Sequence, residues 1–133
     1  MLIIIISFIL LFFVWASADI RSGIYLRCIC RGSSVEKAVA LTFDDGPDPI
    51  HTPRILNILE ENNIKATFFL IGSKIETYPE LVKRIYEEGH IIGNHTFSHS
   101  PSYTLWNSNK IYEDIRKTND IIYKITGKFP FFF

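Results

Sequence analysis

From Leu2 to Ala18 every position is apolar except Ser7 and Ser17, so a helix built from this run has no polar face. Such a segment reads as a signal-peptide core or a membrane anchor. At about 1.5 Å per residue the run covers ~25 Å, slightly less than the hydrocarbon layer of a bilayer. Ala16-Ser17-Ala18 has the small-residue pattern of a cleavage site before Asp19. Arg21, Arg27 and Arg31, with no Lys or Arg ahead of the run, instead resemble the cytoplasmic flank of an anchor. Both readings predict an exported protein of the cell envelope, either secreted or attached to the membrane through residues 2–18. Residues 19–36 read as a linker ending in the turn-like Arg31-Gly32-Ser33-Ser34. Cys28 and Cys30 are awkwardly placed for a disulfide and too few for a zinc site, so they read as small apolar residues.

From residue 37 onward the pattern becomes regular. Residues 37–43 (KAVALTF) are a nearly continuous apolar run, as expected for a parallel strand covered on both faces, and they stop at the turn Asp44-Asp45-Gly46-Pro47. Thr52-Pro53 predicts a helix start with a hydroxyl cap and proline in the first turn, with Ile55, Leu56, Ile58 and Leu59 facing inward up to Glu61. Residues 66–71 (ATFFLI) predict a second buried strand. Pro79 opens a second helix, with Leu81, Val82 and Ile85 inward and Gly89 closing it. Residues 90–93 predict a third strand. After an irregular stretch around Ser100-Pro101-Ser102, a long helix is expected over about 108–125, with Ile111, Ile115, Ile122 and Ile125 on one face and Gly127 at its end. Phe129-Pro130-Phe131-Phe132-Phe133 reads as the entry to a fourth strand.

Strands alternating with helices over short connections predict an α/β fold with parallel strands, either an open sheet or a barrel. The 133 residues carry 14 Lys+Arg against 14 Asp+Glu, so the basic field that nucleic acid needs is missing. A hydrophobic fraction of 47% excludes a disordered chain, and the length allows one domain. The first strand is not followed by a glycine-rich loop, which removes the usual dinucleotide or phosphate reading.

Two polar clusters stand at the C-terminal ends of predicted strands, where such folds gather their chemistry: Asp44-Asp45 and His95-Thr96-Phe97-Ser98-His99. Alone, two aspartates before Gly-Pro often only make a turn, and many His-x-x-x-His pairs are surface residues. Together they complement one another, because two imidazoles and one carboxylate are a common catalytic zinc set that leaves a position open for water. The second aspartate is then free to act as a base. The residue types do not decide which aspartate ligates, since neighbours diverge on a strand and converge in a turn.

TFDDGP (42–47) and HTFSH (95–99), separated by ATFFLIG and GHIIGNH, resemble the first two motifs of the NodB-type polysaccharide deacetylases, carbohydrate esterase family 4. The resemblance covers about residues 37–133 and implies a distorted (β/α) barrel, present here as a partial one, that removes N- or O-acetyl groups from chitin, peptidoglycan, xylan and related glycans. It matches Asp44 to the catalytic base and Asp45, His95 and His99 to the ligands of a divalent metal, most naturally Zn²⁺. The implied partner is an acetylated polysaccharide. His51 and His90 match no ligand and read as structural. Tyr103 and Trp106 stand where a sugar ring could stack, with core packing as the competing reading.

Relatives of this kind continue into an Arg-x-Pro-Tyr motif and later Asp/Trp and His motifs, which these 133 residues lack. The 37–133 region is therefore expected to be a truncated domain, poorly soluble and weak or inactive by itself. A non-catalytic glycan- or metal-binding remnant is the alternative, and a different zinc hydrolase using the same triad is a third.

Overall fold

The computed structural model describes residues 2–19, 22–24 and 37–133. Cys28 and Cys30, the three arginines after the apolar run and most of the expected linker lie outside the described residues. The chain divides into two units, Met1–Ala38 and Val39–Phe133. The first contains helix α1, Leu2–Ala18, whose large apolar side chains are exposed from Ile3 to Trp15. No helix among the described residues is long and apolar enough to cross a membrane.

The second unit orders its elements as β1 (Thr42–Gly46), α2 (His51–Glu61), β2 (Thr67–Leu70), α3 (Gly72–Thr77), α4 (Pro79–Glu87), β3 (Ile91–Asn94) and α5 (Ser108–Thr126). Its sheet is parallel with order β1-β2-β3, and Thr67–Leu70 pair residue by residue with Ile91–Asn94. The predicted α/β class with parallel strands is therefore what the chain adopts. Leu56 and Leu59 of α2, Phe68 and Leu70 of β2, Ile75 of α3, Val82 and Ile85 of α4, Ile92 of β3 and Ile122 of α5 form one core. Burying each such side chain stabilises the fold by about 1.5–3 kcal/mol. A Cβ on Gly72 would collide with the Thr118 hydroxyl and the Phe97 ring, so glycine lets α3 lie close to α5 and to the 95–99 loop.

Helix boundaries follow the sequence signals. Pro79 opens α4, the Asn107 side chain accepts the Lys110 N–H to cap α5, and Gly127 closes α5 at φ 72°, a left-handed conformation that glycine adopts without cost. Thr52 does not cap α2. Its hydroxyl instead accepts the Asp48 N–H at 2.9 Å, and the Asp48 carboxylate takes up the amides of Ile50 and His51 at 2.9 and 2.7 Å. Those two amides hold the Asp48 pKa below the ordinary aspartate value.

Four expectations need correction. The first strand is not residues 37–43 covered on both faces: it begins at Thr42, includes both aspartates, and is largely exposed because, among the described residues, only β2 pairs with it. Val39, ahead of it, is 93% exposed. Ile58, expected inward, is 59% exposed, because Leu56 and Leu59 fill the inner face of α2. The short helix α3 was not foreseen. Residues 129–133 form no strand, although the Asn94 N–H donates to the Phe132 carbonyl at 2.9 Å and so lays that segment beside β3.

Candidate metal centre

The carboxylate side of the site begins where β1 loses register with β2. Thr42 and Phe43 pair with Thr67 and Phe68, but the next pair is Gly46 with Leu70, so two aspartates stand opposite the single residue Phe69. An extra residue of this kind is a bulge, which bends a strand and re-aims its side chains. Asp45 sits in it at φ 66°, a left-handed conformation that aspartate tolerates better than most residues, and its carbonyl accepts the Lys74 Nζ at 2.7 Å. Adjacent aspartates thereby take different directions. Asp45 meets the histidines, while Asp44 lines an open cleft of about 350 Å³ together with Asn94, His95, Thr96 and Phe133.

The imidazole side is the loop after β3, which leaves the sheet at the buried Asn94. The Asn94 side chain donates to the Ile115 carbonyl at 2.8 Å and to Asn119 Oδ1 at 2.7 Å, and its own Oδ1 accepts the Thr96 N–H at 2.8 Å. The His95 N–H donates to the Leu70 carbonyl, continuing the β2–β3 ladder by one step, and the His99 N–H donates to the Thr96 hydroxyl at 3.0 Å. From the α3 side, Gly72 and Ser73 donate their amides to the carbonyls of Thr96 and Phe97 at 2.9 and 3.0 Å.

These two supports converge. Asp45 Oδ1 lies 3.2 Å from His95 Nε2 and 3.3 Å from His99 Nε2, and the two imidazole rings stack with centroids 5.0 Å apart. All three donor atoms lie within 4.8 Å of one another. Ligands held 2.0–2.1 Å from a tetrahedral ion stand about 3.4 Å apart, so this donor set fits one divalent cation. Asp45 is exposed, His95 half-buried and His99 exposed, so the centre faces solvent. Beyond it a second open cleft of about 540 Å³ is lined by His95, His99, Pro101 and Tyr103.

Tyr103, which lines this cleft, packs its ring 5.4 Å from that of Trp106, whose Nε1 donates to the Ser102 hydroxyl at 3.3 Å. Burial raises the Tyr103 pKa, with the Asp114 charge adding to it, and its hydroxyl has no partner among the described residues. The other two histidines stand apart from the centre. His51 opens α2 on the surface. His90 is buried edge-on to Phe68, and its Nδ1 accepts the Ala66 N–H at 3.3 Å. Sequence reasoning missed Asn94, Lys74 and the bulge. The Asn-His and Asp-Asp-Gly text carries a faint signal for the first and last, but nothing marks Lys74, which reaches Asp45 from 29 positions away.

The family model described as polysaccharide deacetylase matches residues 31–133. A peptidoglycan-N-acetylglucosamine deacetylase of Bacillus cereus is 51% identical over 94 residues, 71% of this chain and 34% of that protein. The structure of Bacillus subtilis PdaA, a family 4 carbohydrate esterase, superposes with a TM-score of 0.66 at 41% identity, covering 73% of this chain and 41% of that one. A family 4 acetyl xylan esterase from Clostridium thermocellum, in complex with a cobalt ion, superposes with a TM-score of 0.61 at 39% identity over 68% of this chain and 44% of that one. The chain thus spans about a third of the length of the curated relative and less than half of the solved chains. With a family model over residues 31–133 and relatives at 39–51% identity, the chain belongs to the polysaccharide deacetylase family.

Proposed function

We propose that this chain carries the metal-binding half of an exported deacetylase that hydrolyses acetyl groups from an acetylated glycan. Asp45, His95 and His99 are its metal ligands, and Asp44 is its base. The convergence of two imidazole nitrogens on one carboxylate oxygen, at 3.2 and 3.3 Å, carries this reading. Names of relatives favour the N-acetyl sugars of peptidoglycan as substrate. Imidazole and carboxylate donors suit Zn²⁺ as the resident ion, with Co²⁺ and Ni²⁺ able to replace it.

A divalent cation bound there would supply an acidified water and polarise the acyl carbonyl. The chain's own groups do the rest. Asp45, His95 and His99 would hold that ion, and the Asp44 carboxylate, one residue away in the adjoining cleft, accepts the proton of the attacking water. Water adds to the carbonyl carbon, the acyl–nitrogen bond breaks, acetate leaves, and the sugar keeps a free amine. Protonation of that amine needs a donor. Among the described residues the cleft beside Asp44 holds no titratable side chain besides Asp44 and His95, and we expect turnover by these 133 residues alone to be weak. The apolar α1 acts as the export signal or anchor.

The test is acetate release from N-acetylated peptidoglycan fragments by the zinc-loaded chain. EDTA and Asp45→Ala should abolish it with loss of bound zinc, whereas Asp44→Ala should abolish it with zinc retained. Release that survives both EDTA and Asp45→Ala would overturn the proposal, as would a chain that binds no zinc. Recovery of an envelope-associated form, or of a secreted form beginning at Asp19, tests export, and cytoplasmic retention of the intact chain would refute it.

A further inference from the structure

We infer that Asp114, on α5, is a positioning residue that sets the spacing of the two metal-binding imidazoles. The inference rests on reading His95 and His99 as metal ligands. It starts from the backbone donors of the loop that carries them. His95 N–H goes to Leu70, Thr96 N–H to the Asn94 side chain and His99 N–H to the Thr96 hydroxyl. The middle two amides go to one place: Asp114 Oδ2 accepts from Phe97 at 2.6 Å and from Ser98 at 3.5 Å.

All five donors are thereby used, in a segment that is neither helix nor strand. The loop also contains two left-handed residues, Thr96 at φ 63° and His99 at φ 46°. A β-branched threonine is strongly disfavoured there, so the conformation persists only while its surroundings hold it. Asp114 supplies the one ionised acceptor in that support, and a bond to a carboxylate is about twice as strong as one to a neutral acceptor. Its helix grips the loop at a second point, because the Ile115 carbonyl and the Asn119 side chain bind Asn94, immediately before His95. The stretch of α5 from Asp114 to Asn119 thus fixes both the take-off and the middle of the loop, which leaves the separation of His95 and His99 little freedom.

The test uses Co²⁺ as probe, read by its visible absorption and by titration of the full chain in detergent solution. Asp114→Ala should weaken Co²⁺ binding by about 10–100-fold, the usual cost of losing a group that orients a ligand, and should alter the spectrum. Asp114→Asn keeps an acceptor oxygen without the charge and should lose about 3–10-fold. Glu113→Ala, whose carboxylate bonds Arg116 on the exposed side of the helix, should bind as wild type. Wild-type affinity and spectrum in Asp114→Ala, with only a lower melting temperature, would make Asp114 a structural brace and overturn the inference. If that variant does not fold, wild-type affinity in Asp114→Asn overturns it equally. Co²⁺ binding that is absent in the wild type, or indifferent to His95→Ala, would instead remove the metal reading itself, so the two failures are distinguishable.

Discussion

The two sides of the metal centre are held in opposite ways. Among the described residues Asp45 stands on the edge strand of the sheet, in a bulge, at a left-handed residue whose carbonyl accepts a lysine from α3. His95 and His99 stand on a loop whose every amide has a partner and which begins at a buried asparagine bonded to α5. The imidazole pair is therefore preorganised, and the carboxylate is the adjustable member. Under the proposed metal reading, such a site would keep its geometry at two donors while the third adapts to an incoming ion.

Removing any donor should have the largest effect. Asp45→Ala, His95→Ala and His99→Ala should each weaken zinc binding by more than about 100-fold, beyond what supporting residues give, as measured by competition with a chromogenic chelator. Comparable affinity in any of them would dissolve the three-donor centre. Next comes Asn94→Ala, which deletes three hydrogen bonds at a buried position and should cost about 2–4 kcal/mol in urea unfolding, with metal affinity falling alongside. Lys74→Met probes the looser side. It removes one exposed bond to the Asp45 carbonyl and should lower zinc affinity only about 3-fold, with stability almost unchanged. Should Lys74→Met prove as damaging as Asn94→Ala, the contrast between the two sides fails.

A smaller effect comes from His90, away from the centre. Burial and the Lys65 charge lower its pKa from 6.5, against an opposing Glu88, and its Nδ1 is committed as an acceptor. The unfolded chain therefore binds more protons than the folded one just below pH 6.5, and stability should fall as pH drops from there toward the folded pKa. Metal-free urea midpoints at about pH 7.5 and 5.5 should show this slope, and His90→Gln should flatten it. An equal slope in the variant would assign the effect elsewhere. The smallest effect is expected at Ile58, where Ile58→Ser should change stability by less than about 0.5 kcal/mol, because the side chain is mostly in solvent.

Much of the fold was legible because its signals are local. The Ile122 stripe with Gly127 behind it defined α5, Pro79 and Gly89 bracketed α4, and the ATFFLI run defined β2. The three residues that come together were legible as candidate ligands because residue types with complementary donors stood at the ends of predicted strands, and the TFDDGP and HTFSH motifs resembled those of a known family. What was misjudged depended on neighbours. Residues 37–41 look like a buried strand until the sheet is seen to end at β1, and Ile58 looks internal until Leu56 and Leu59 are seen to fill the available face.

By itself the sequence determined the parallel α/β order, the ends of α4 and α5 and the candidate donor set, since periodicity, caps and ligand chemistry are written within a few residues of one another. Residue chemistry left open which aspartate turns toward the histidines; the family resemblance pointed to Asp45, and only the tertiary structure showed how it turns and what holds each side. The bulge opposite Phe69, the Lys74 contact with Asp45 and the Asn94 and Asp114 contacts joining the loop to α5 each join positions about 17 to 29 apart in the chain. Hydrogen bonds of that kind exist only after the elements have packed, and no local pattern records them.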